Sequence, residues 1–220
     1  MSRKVVRLTV DHLSELPGPC RECLFWELDP VRRDRVGGDA AVAEKEAWIS
    51  QVLREWGSCG RVAVVDERVV GYLVYAPAAF VPGSVGFPTS PVSSDAVLLT
   101  RVYVDDDHAG GGLGRMLVQA MARDLIERGG IRAVEAFGTT VPVLGSCLVP
   151  AEFLGSVGFK THRSHLLTPR MRMDLRSALT WRDEVEAALE RLLGAVRPAP
   201  TVRPERSHRS LGASRVSGDG

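Results

Sequence analysis

Apolar residues recur along this chain with two different periods, and the switches between them mark a succession of strands and helices. Lys4-Val5-Val6-Arg7-Leu8-Thr9-Val10 predicts a first strand, and a short helical turn is expected within 20–28, before the Asp29-Pro30 break. Over 40–56, Trp48, Ile49, Val52, Leu53 and Trp56 fall on one side of a helix, with Asp39 placed to cap its start and Gly57 to end it. Strands follow at 61–65 and 69–75, and Asp66-Glu67-Arg68 between them fits a tight hairpin that lacks the usual glycine. The next stretch, 76–95, holds Pro77, Pro82, Pro88 and Pro91, which forbid a regular central strand. A disordered surface insertion is one reading of it; Phe80, Val81, Val85 and Phe87 favour a loop that packs over the body.

Beyond that loop, 96–104 predicts a Val- and Leu-rich strand, and a glycine-rich turn leads into a helix over 112–128. Leu113, Met116, Leu117, Ala120, Met121 and Leu125 share one face of it, and Gly129-Gly130 stops it. A strand at 131–137, a loop with Gly138, Pro142, Gly145 and Pro150, a short helix at 151–157 and closing strands at 159–162 and 164–175 complete the pattern. Thr180-Trp181-Arg182-Asp183 opens a further helix to about 193, with Trp181, Val185, Leu189, Leu192 and Val196 on one side. From Arg197 onward Arg, Pro, Ser and Gly dominate, which predicts a disordered tail. The expected organisation is a main domain over 1–176, a C-terminal helix over 177–196 and a tail over 197–220.

Composition narrows the function classes. Lys and Arg total 28 against 27 Asp and Glu, a formal charge of +1, so nothing marks the chain as a basic nucleic-acid binder. Its 220 residues and 45% hydrophobic content suit one globular domain with additions. No stretch approaches the ~18 apolar residues of a membrane helix. Met1 to Arg7 lacks the apolar core of a secretory signal, so the cytoplasm is the default location and the four cysteines are expected as reduced thiols. The expected partners therefore include neither nucleic acid nor membrane, and the oligomeric state stays open, a homodimer among the states allowed.

The most informative segment runs Val102-Tyr103-Val104-Asp105-Asp106-Asp107-His108-Ala109-Gly110-Gly111-Gly112-Leu113-Gly114-Arg115, between a strand and a strongly periodic helix. Glycines leave main-chain N–H groups uncovered, and at a helix start those amides and the helix dipole attract anionic oxygens. The segment reads as a pyrophosphate seat, against the plainer reading of a structural glycine turn. A Walker loop needs Lys and then Ser or Thr after its last glycine, but Arg115 and Met116 follow Gly114. The dinucleotide fingerprint fails too, since the sixth position is Arg115 counting from Gly110 and Leu117 counting from Gly112.

With its preceding strand and following helix, Ala109-Gly110-Gly111-Gly112-Leu113-Gly114 resembles the acyl-CoA-binding motif of the GCN5-related N-acetyltransferases, which runs Arg/Gln, any, any, Gly, any, Gly/Ala. The departure is Ala109, where the family carries Arg or Gln. Phe153-Leu154-Gly155-Ser156-Val157-Gly158-Phe159 is similar to the family's Phe-Tyr-x-x-x-Gly-Phe segment, and the order of elements agrees over about 4–175. The resemblance implies an α/β (α+β) fold with a mixed, mostly antiparallel sheet flanked by helices. It implies acetyl-CoA as co-substrate, its pyrophosphate on Ala109, Gly110, Gly111, Gly112, Leu113, Gly114 and Arg115, and its pantetheine along Val102, Tyr103 and Val104. The implied reaction is direct acetyl transfer to a primary amine or related nitrogen nucleophile, on a small molecule or a protein lysine.

Direct transfer needs a base for the amine proton, a donor for the oxyanion and an acid for the leaving thiolate. Leu154 stands where the family usually carries the acidic Tyr, and Thr100 where a Glu is expected, so the usual acid and base are both missing. Ser156 is a weak substitute for the acid. Glu135, inside the apolar strand Ala133-Val134-Glu135-Ala136-Phe137, is the candidate base; the competing reading turns it to solvent or pairs it with an arginine. Asp105, Asp106 and Asp107 read as a solvated turn.

Cys20-Arg21-Glu22-Cys23 has a metal-like or redox-like spacing, but only Cys59 and Cys147 are left to join it and packed thiols are the default reading. An acetyl-cysteine at Cys147 lacks an evident activator in the nearby sequence. His108 reads as a surface residue with a phosphate contact as the alternative, and His162 and His165 as structural or exposed with the lining of the acceptor cleft as the alternative. A non-catalytic acyl-CoA sensor and a nucleotide-triphosphate regulator stand as rival functions.

Overall fold

Residues of the central strands alternate between two buried faces, and that alternation builds the molecule in layers. The computed structural model describes residues 2–16, 18–141 and 147–176; the helix expected over 177–196 and the tail over 197–220 lie outside them. In chain order come strand β1 (Arg3–Arg7), a 3-10 turn (Val10–Glu15), short helices α1 (Gly18–Glu22) and α2 (Pro30–Arg33), and helix α3 (Asp39–Trp56). Strands β2 (Gly60–Val65), β3 (Arg68–Pro77) and β4 (Ala96–Val104) precede helix α4 (Leu113–Arg128). Then follow β5 (Ala133–Thr139), β6 (Val149–Pro150), α5 (Ala151–Ser156), β7 (Lys160–Arg163) and β8 (Arg170–Asp174). The sheet runs β1-β2-β3-β4-β5-β8-β7, with β6 paired to β5 off that path. Only β4–β5 and β5–β6 are parallel, as the mixed, mostly antiparallel expectation required.

Each face has its own core. Leu73, Tyr75, Val97, Leu99, Val134 and Ala136 meet Leu117, Met121 and Leu125 of α4 on one side. Tyr72, Val74, Leu98 and Phe137 meet Trp48, Ile49 and Val52 of α3 on the other. Covering both faces explains why every residue of β2 is buried. The Pro-rich 76–95 stretch does pack down: Val81 is buried, Trp48 Nε1 donates to Phe80 O (2.6 Å), and Phe87 stacks on Phe137 with 4.3 Å between ring centroids. Val85, grouped with these by sequence, points to solvent.

Several boundaries differ from expectation, the short helix expected within 20–28 forming at Gly18–Glu22 among them. The first strand ends at Arg7, because Thr9 N–H donates to the His12 ring and opens the 3-10 turn. Gly38, not Asp39, is the residue before α3, which leaves Asp39 in the first turn where its charge still suits the helix dipole. The strand expected from 131 begins at Ala133, after Gly129 and Gly130, both with positive φ. The last strand begins at Arg170 rather than 164, because His165 Nδ1 accepts the amides of Leu167 and Thr168 and turns that stretch into a loop. The glycine-free hairpin is present, with φ of 46° at Asp66 and 68° at Glu67; Ser2 N–H donates to the Asp66 carboxylate (2.9 Å) and helps hold it.

One buried carboxylate fixes α4 to the sheet. Asp124, on the sheet-facing side of α4, accepts a hydrogen bond from the Tyr75 hydroxyl (2.5 Å) and pairs with Arg61. Arg7 lies 3.6 Å away, and Ser58 Oγ lies 2.9 Å from the Tyr75 hydroxyl. Burial opposes the charge on Asp124, but Tyr75, Arg61 and Ser58 outweigh it and hold the carboxyl below its usual range. Asp124→Ala strands a buried guanidinium and is expected to cost about 3–5 kcal/mol in a urea melt. The folded-state value of Asp124 is depressed, so its contribution is complete above the unfolded carboxylate value near ~3.9 and is lost as pH falls through the folded one. Stability-against-pH curves of wild type and variant should therefore converge on acidification.

Candidate active site

The site begins where two parallel strands part. β4 and β5 pair only over Ala96–Ala133, Val97–Val134 and Leu98–Glu135. From Leu99 onward β4 keeps β3 as its partner, while β5 turns to β6 through Gly138 and Thr139. A wedge opens between them, and its β4 side carries Val102, Tyr103 and Val104, all half-buried. At the start of the wedge β4 bulges: Val74 faces Arg101 and Tyr75 faces Leu99, so Thr100 is the extra residue. Its hydroxyl donates to Val74 O (3.1 Å), and the side chain that stands where a base was sought is thus committed to the neighbouring strand.

β4 runs out of the wedge into the glycine turn. Asp106–His108 forms a 3-10 turn, Ala109 is extended and exposed, and Gly110 and Gly112 adopt φ of 73° and 81°. At both glycines a Cβ would meet open space, so conformation, not crowding, calls for glycine there. Gly114 serves another end, since a Cβ there would lie 2.9 Å from the Phe153 ring of α5. The first helical bond of α4 runs from Met116 N–H to Gly112 O (3.0 Å), which places the amides of Gly112, Leu113, Gly114 and Arg115 ahead of the ladder. The Arg115 side chain turns away to donate to Ser156 O (2.9 Å) at the end of α5. Asp106 and Asp107 are exposed, and the Tyr103 hydroxyl pairs with Asp105; burial and that carboxylate push Tyr103 up to about 12.

A narrow cavity of about 60 Å³ reaches β4 from the α3 side of the sheet. Thr100 and Arg101 of β4 line it, with Tyr72 of β3, Trp48 of α3, and Cys20, Cys23 and Cys147 from flanking segments. Glu27 and Lys45 form a buried ion pair in its wall. Burial and the neighbouring Cys20 raise the Tyr72 hydroxyl far above its usual range, so it stays protonated. Neither Tyr72 nor the Glu27–Lys45 pair forms a local motif that sequence reading could single out; the folded chain brings them to the same cavity as Thr100.

Glu135 sits at the vertex of the wedge and is fully buried. Its carboxylate accepts from Ser93 N–H (3.2 Å) and Arg172 Nη1 (3.2 Å), and Arg170 Nη1 lies 3.3 Å away. Arg172 also holds Asp95 through two hydrogen bonds of 3.0 Å. Burial works against the charge, but Ser93 and the arginines hold Glu135 below its usual range, opposite to what a general base needs. The structure pairs Glu135 with Arg170 and Arg172, the arrangement that sequence reading kept beside a base at this position. Leu154 is buried, and Ser156, the weak substitute for the acid, has its Oγ donating to Phe153 O (2.8 Å). His162 Nε2 lies 3.9 Å from Glu135, and among the described residues no group of three or more His, Cys, Asp or Glu is arranged to hold a metal ion. Nor is any described helix long and apolar enough to cross a membrane.

A family model described as acetyltransferase (GNAT) family matches residues 22–155. Among solved structures, the fold is similar to that of PaiA N-acetyltransferase from Thermoplasma acidophilum, crystallised in complex with coenzyme A: 14% identity, 79% of this chain and 99% of that chain, TM-score 0.52. It is similar to an N-acetyltransferase from Staphylococcus aureus Mu50 (13% identity, 80% and 99% of the two chains, TM-score 0.53). It is also similar to the loading GNATL domain of CurA from Lyngbya majuscula (13% identity, 80% and 100%, TM-score 0.51). No curated protein sequence matches the chain.

If Glu135 is a clamp, Glu135→Ala should lower stability by about 3 kcal/mol or more, since it leaves buried arginine charge unpaired. Denaturant melts measure this. Glu135→Gln, which keeps the Ser93 contact, should recover part of the loss.

Proposed function

The chain belongs to the acetyltransferase (GNAT) family, and from that premise we propose that it transfers an acetyl group from acetyl-CoA to the nitrogen of an amine acceptor. The observation that carries this reading is the join of the β4–β5 wedge to the glycine turn. The wedge offers an unpaired strand edge to pantetheine amides, and the turn ends on the leading amides of α4. The fit rests on this chain's own geometry: open space over Gly110 and Gly112, and four amides ahead of the helical ladder.

Each step falls to residues already placed. The amides of Gly112 to Arg115 bind pyrophosphate oxygens, with Ala109, Gly110 and Gly111 shaping the approach. The Val102-Tyr103-Val104 edge aligns pantetheine, so that the thioester reaches the bulge at Thr100, where the cavity begins. When bound, acetyl-CoA supplies an activated acyl carbon. The acceptor nitrogen bonds to that carbon as the C–S bond breaks; nitrogen loses one proton and the CoA sulfur gains one. Tyr72, which lines the cavity beside Thr100, is the donor we assign to the leaving sulfur. The narrow cavity and its aromatic wall suit a small primary amine or related nitrogen nucleophile; a protein lysine, reaching in as a slender chain, is the alternative acceptor.

A non-catalytic acyl-CoA sensor is the second reading, favoured by buried Leu154 and committed Thr100 at the positions where the family resemblance implies an acid and a base. Thiol release from acetyl-CoA over a panel of amines separates the two. Amine-dependent release supports the transferase, whereas stabilisation by CoA in a thermal melt without any release supports the sensor. ATP serves as the control ligand, and stronger stabilisation by ATP than by CoA would overturn both.

Two substitutions probe the roles. Gly112→Val forces a β-branched residue to positive φ and should raise KM for acetyl-CoA by about tenfold, matching a cost of ~1–2 kcal/mol. Tyr72→Phe should lower kcat by about 100-fold with little change in the KM for acetyl-CoA, as loss of a proton donor predicts.

A further inference from the structure

Three of the four cysteines line the cavity, and their arrangement differs from what the Cys20-x-x-Cys23 spacing suggests. Cys20 does not face Cys23: its sulfur lies 3.4 Å from the Arg101 guanidinium and beside the Tyr72 hydroxyl. Cys23 instead lies against Cys147, 124 residues further along the chain, with the two sulfurs 2.7 Å apart. Cys23 follows α1, and Cys147 precedes β6. Trp26 Nε1 donates to Cys147 O (3.2 Å), which holds the two segments together independently of the thiols. Both residues are half-buried on the wall of a cavity with room for a few water-sized molecules.

We propose that Cys23 and Cys147 form a dithiol redox site, which a hydroperoxide oxidises reversibly to a Cys23–Cys147 disulfide. The inference goes beyond acetyl transfer and does not depend on it.

The surroundings fit the chemistry. Thiolate is the reactive form of cysteine, and cationic neighbours favour it. The hydrogen bond with Cys147 lowers the Cys23 thiol well below its ordinary range, with the Phe25 amide and the Lys45 ammonium, and outweighs burial and Glu27. The same hydrogen bond, and burial after it, raise Cys147, so it keeps its proton. The pair therefore presents one thiolate and one thiol. The Cys23 thiolate attacks a peroxide oxygen, breaking the O–O bond to give the Cys23 sulfenic acid and hydroxide. The Cys147 sulfur then displaces that hydroxyl group as water, giving the disulfide. Its proton and one from solvent complete two waters from one hydrogen peroxide. The two sulfurs lose two electrons and the peroxide gains them. The sulfurs need to close by only ~0.7 Å to reach disulfide length.

Cys59 supplies the internal control. It is fully buried, and burial pushes its thiol up to about 12. The test uses the full chain, reduced, desalted and exposed to hydrogen peroxide under native conditions, then alkylated and mapped by mass spectrometry. The expected result is loss of two alkylatable thiols, a cross-linked Cys23–Cys147 peptide pair and recovery of both thiols with dithiothreitol. Before oxidation, Cys23 should alkylate at least ~10-fold faster than Cys59 in the folded chain. In Cys147→Ser, the Cys23 sulfenic acid has no resolving thiol and should be captured by dimedone. A Cys20–Cys23 cross-link, or four thiols that still alkylate after peroxide, would overturn the proposal. Since wild type alone gives the cross-link result, the test does not hinge on any variant folding.

Discussion

The wedge exists because β4 and β5 are held together at one end and released at the other. Glu135 sits at the closed end, in the last of the three residue pairs joining the strands. Through Arg172 it is tied to Asp95, just before β4, and through Arg170 and Arg172 to β8. A carboxylate buried this deeply is tolerable only when its oxygens are filled, and here an amide and two guanidinium groups fill them. Three strands are thereby fixed at one point. Where they are fixed decides where the parting begins, and so where an extended ligand has a strand edge to pair with.

The other end of the wedge depends on main-chain geometry. One run of glycines answers three different demands. Gly110 and Gly112 turn the chain through positive φ and leave the first amides of α4 uncovered. Gly114 lets α5 bring Phe153 close against the first turn of α4. α4 is itself anchored by Asp124, whose contacts with Tyr75 and Arg61 reach two strands on the same face. Asp124 thereby ties α4 to β2 and β3, the kind of fixed placement that preorganised anion binding at a helix start requires.

The α3 side contributes the polar side-chain chemistry. Its cavity takes polar groups from β3, from β4, and from the segments holding Cys20, Cys23, Glu27 and Cys147. The positions associated with acid and base in the family resemblance are closed off, Thr100 by its bond to Val74 and Leu154 by burial. The polar groups of the cavity wall are instead Tyr72, Arg101, the Glu27–Lys45 pair and the thiols. Both the proposed transfer chemistry and the proposed disulfide draw on this wall, but on different atoms.

The layered fold was legible because it is written in local periodicity. The stripe Trp48, Ile49, Val52 and the apolar run over 69–75 each need only their own neighbours to be read. The glycine turn was legible for the same reason, since positive φ and a helix start are short-range properties. The sequence also flagged Glu135 as unusual in an apolar strand, but whether it was base or clamp depended on Arg170 and Arg172, whose placement is set by β8 pairing beside β5. The pairing of Cys23 with Cys147 rather than Cys20, and the arrival of Tyr72 beside Thr100, are likewise contacts between segments far apart in the chain. Periodicity fixes which face a residue takes within its own element; which side chains meet across elements is decided by strand order and loop closure, and these exist only in the folded molecule.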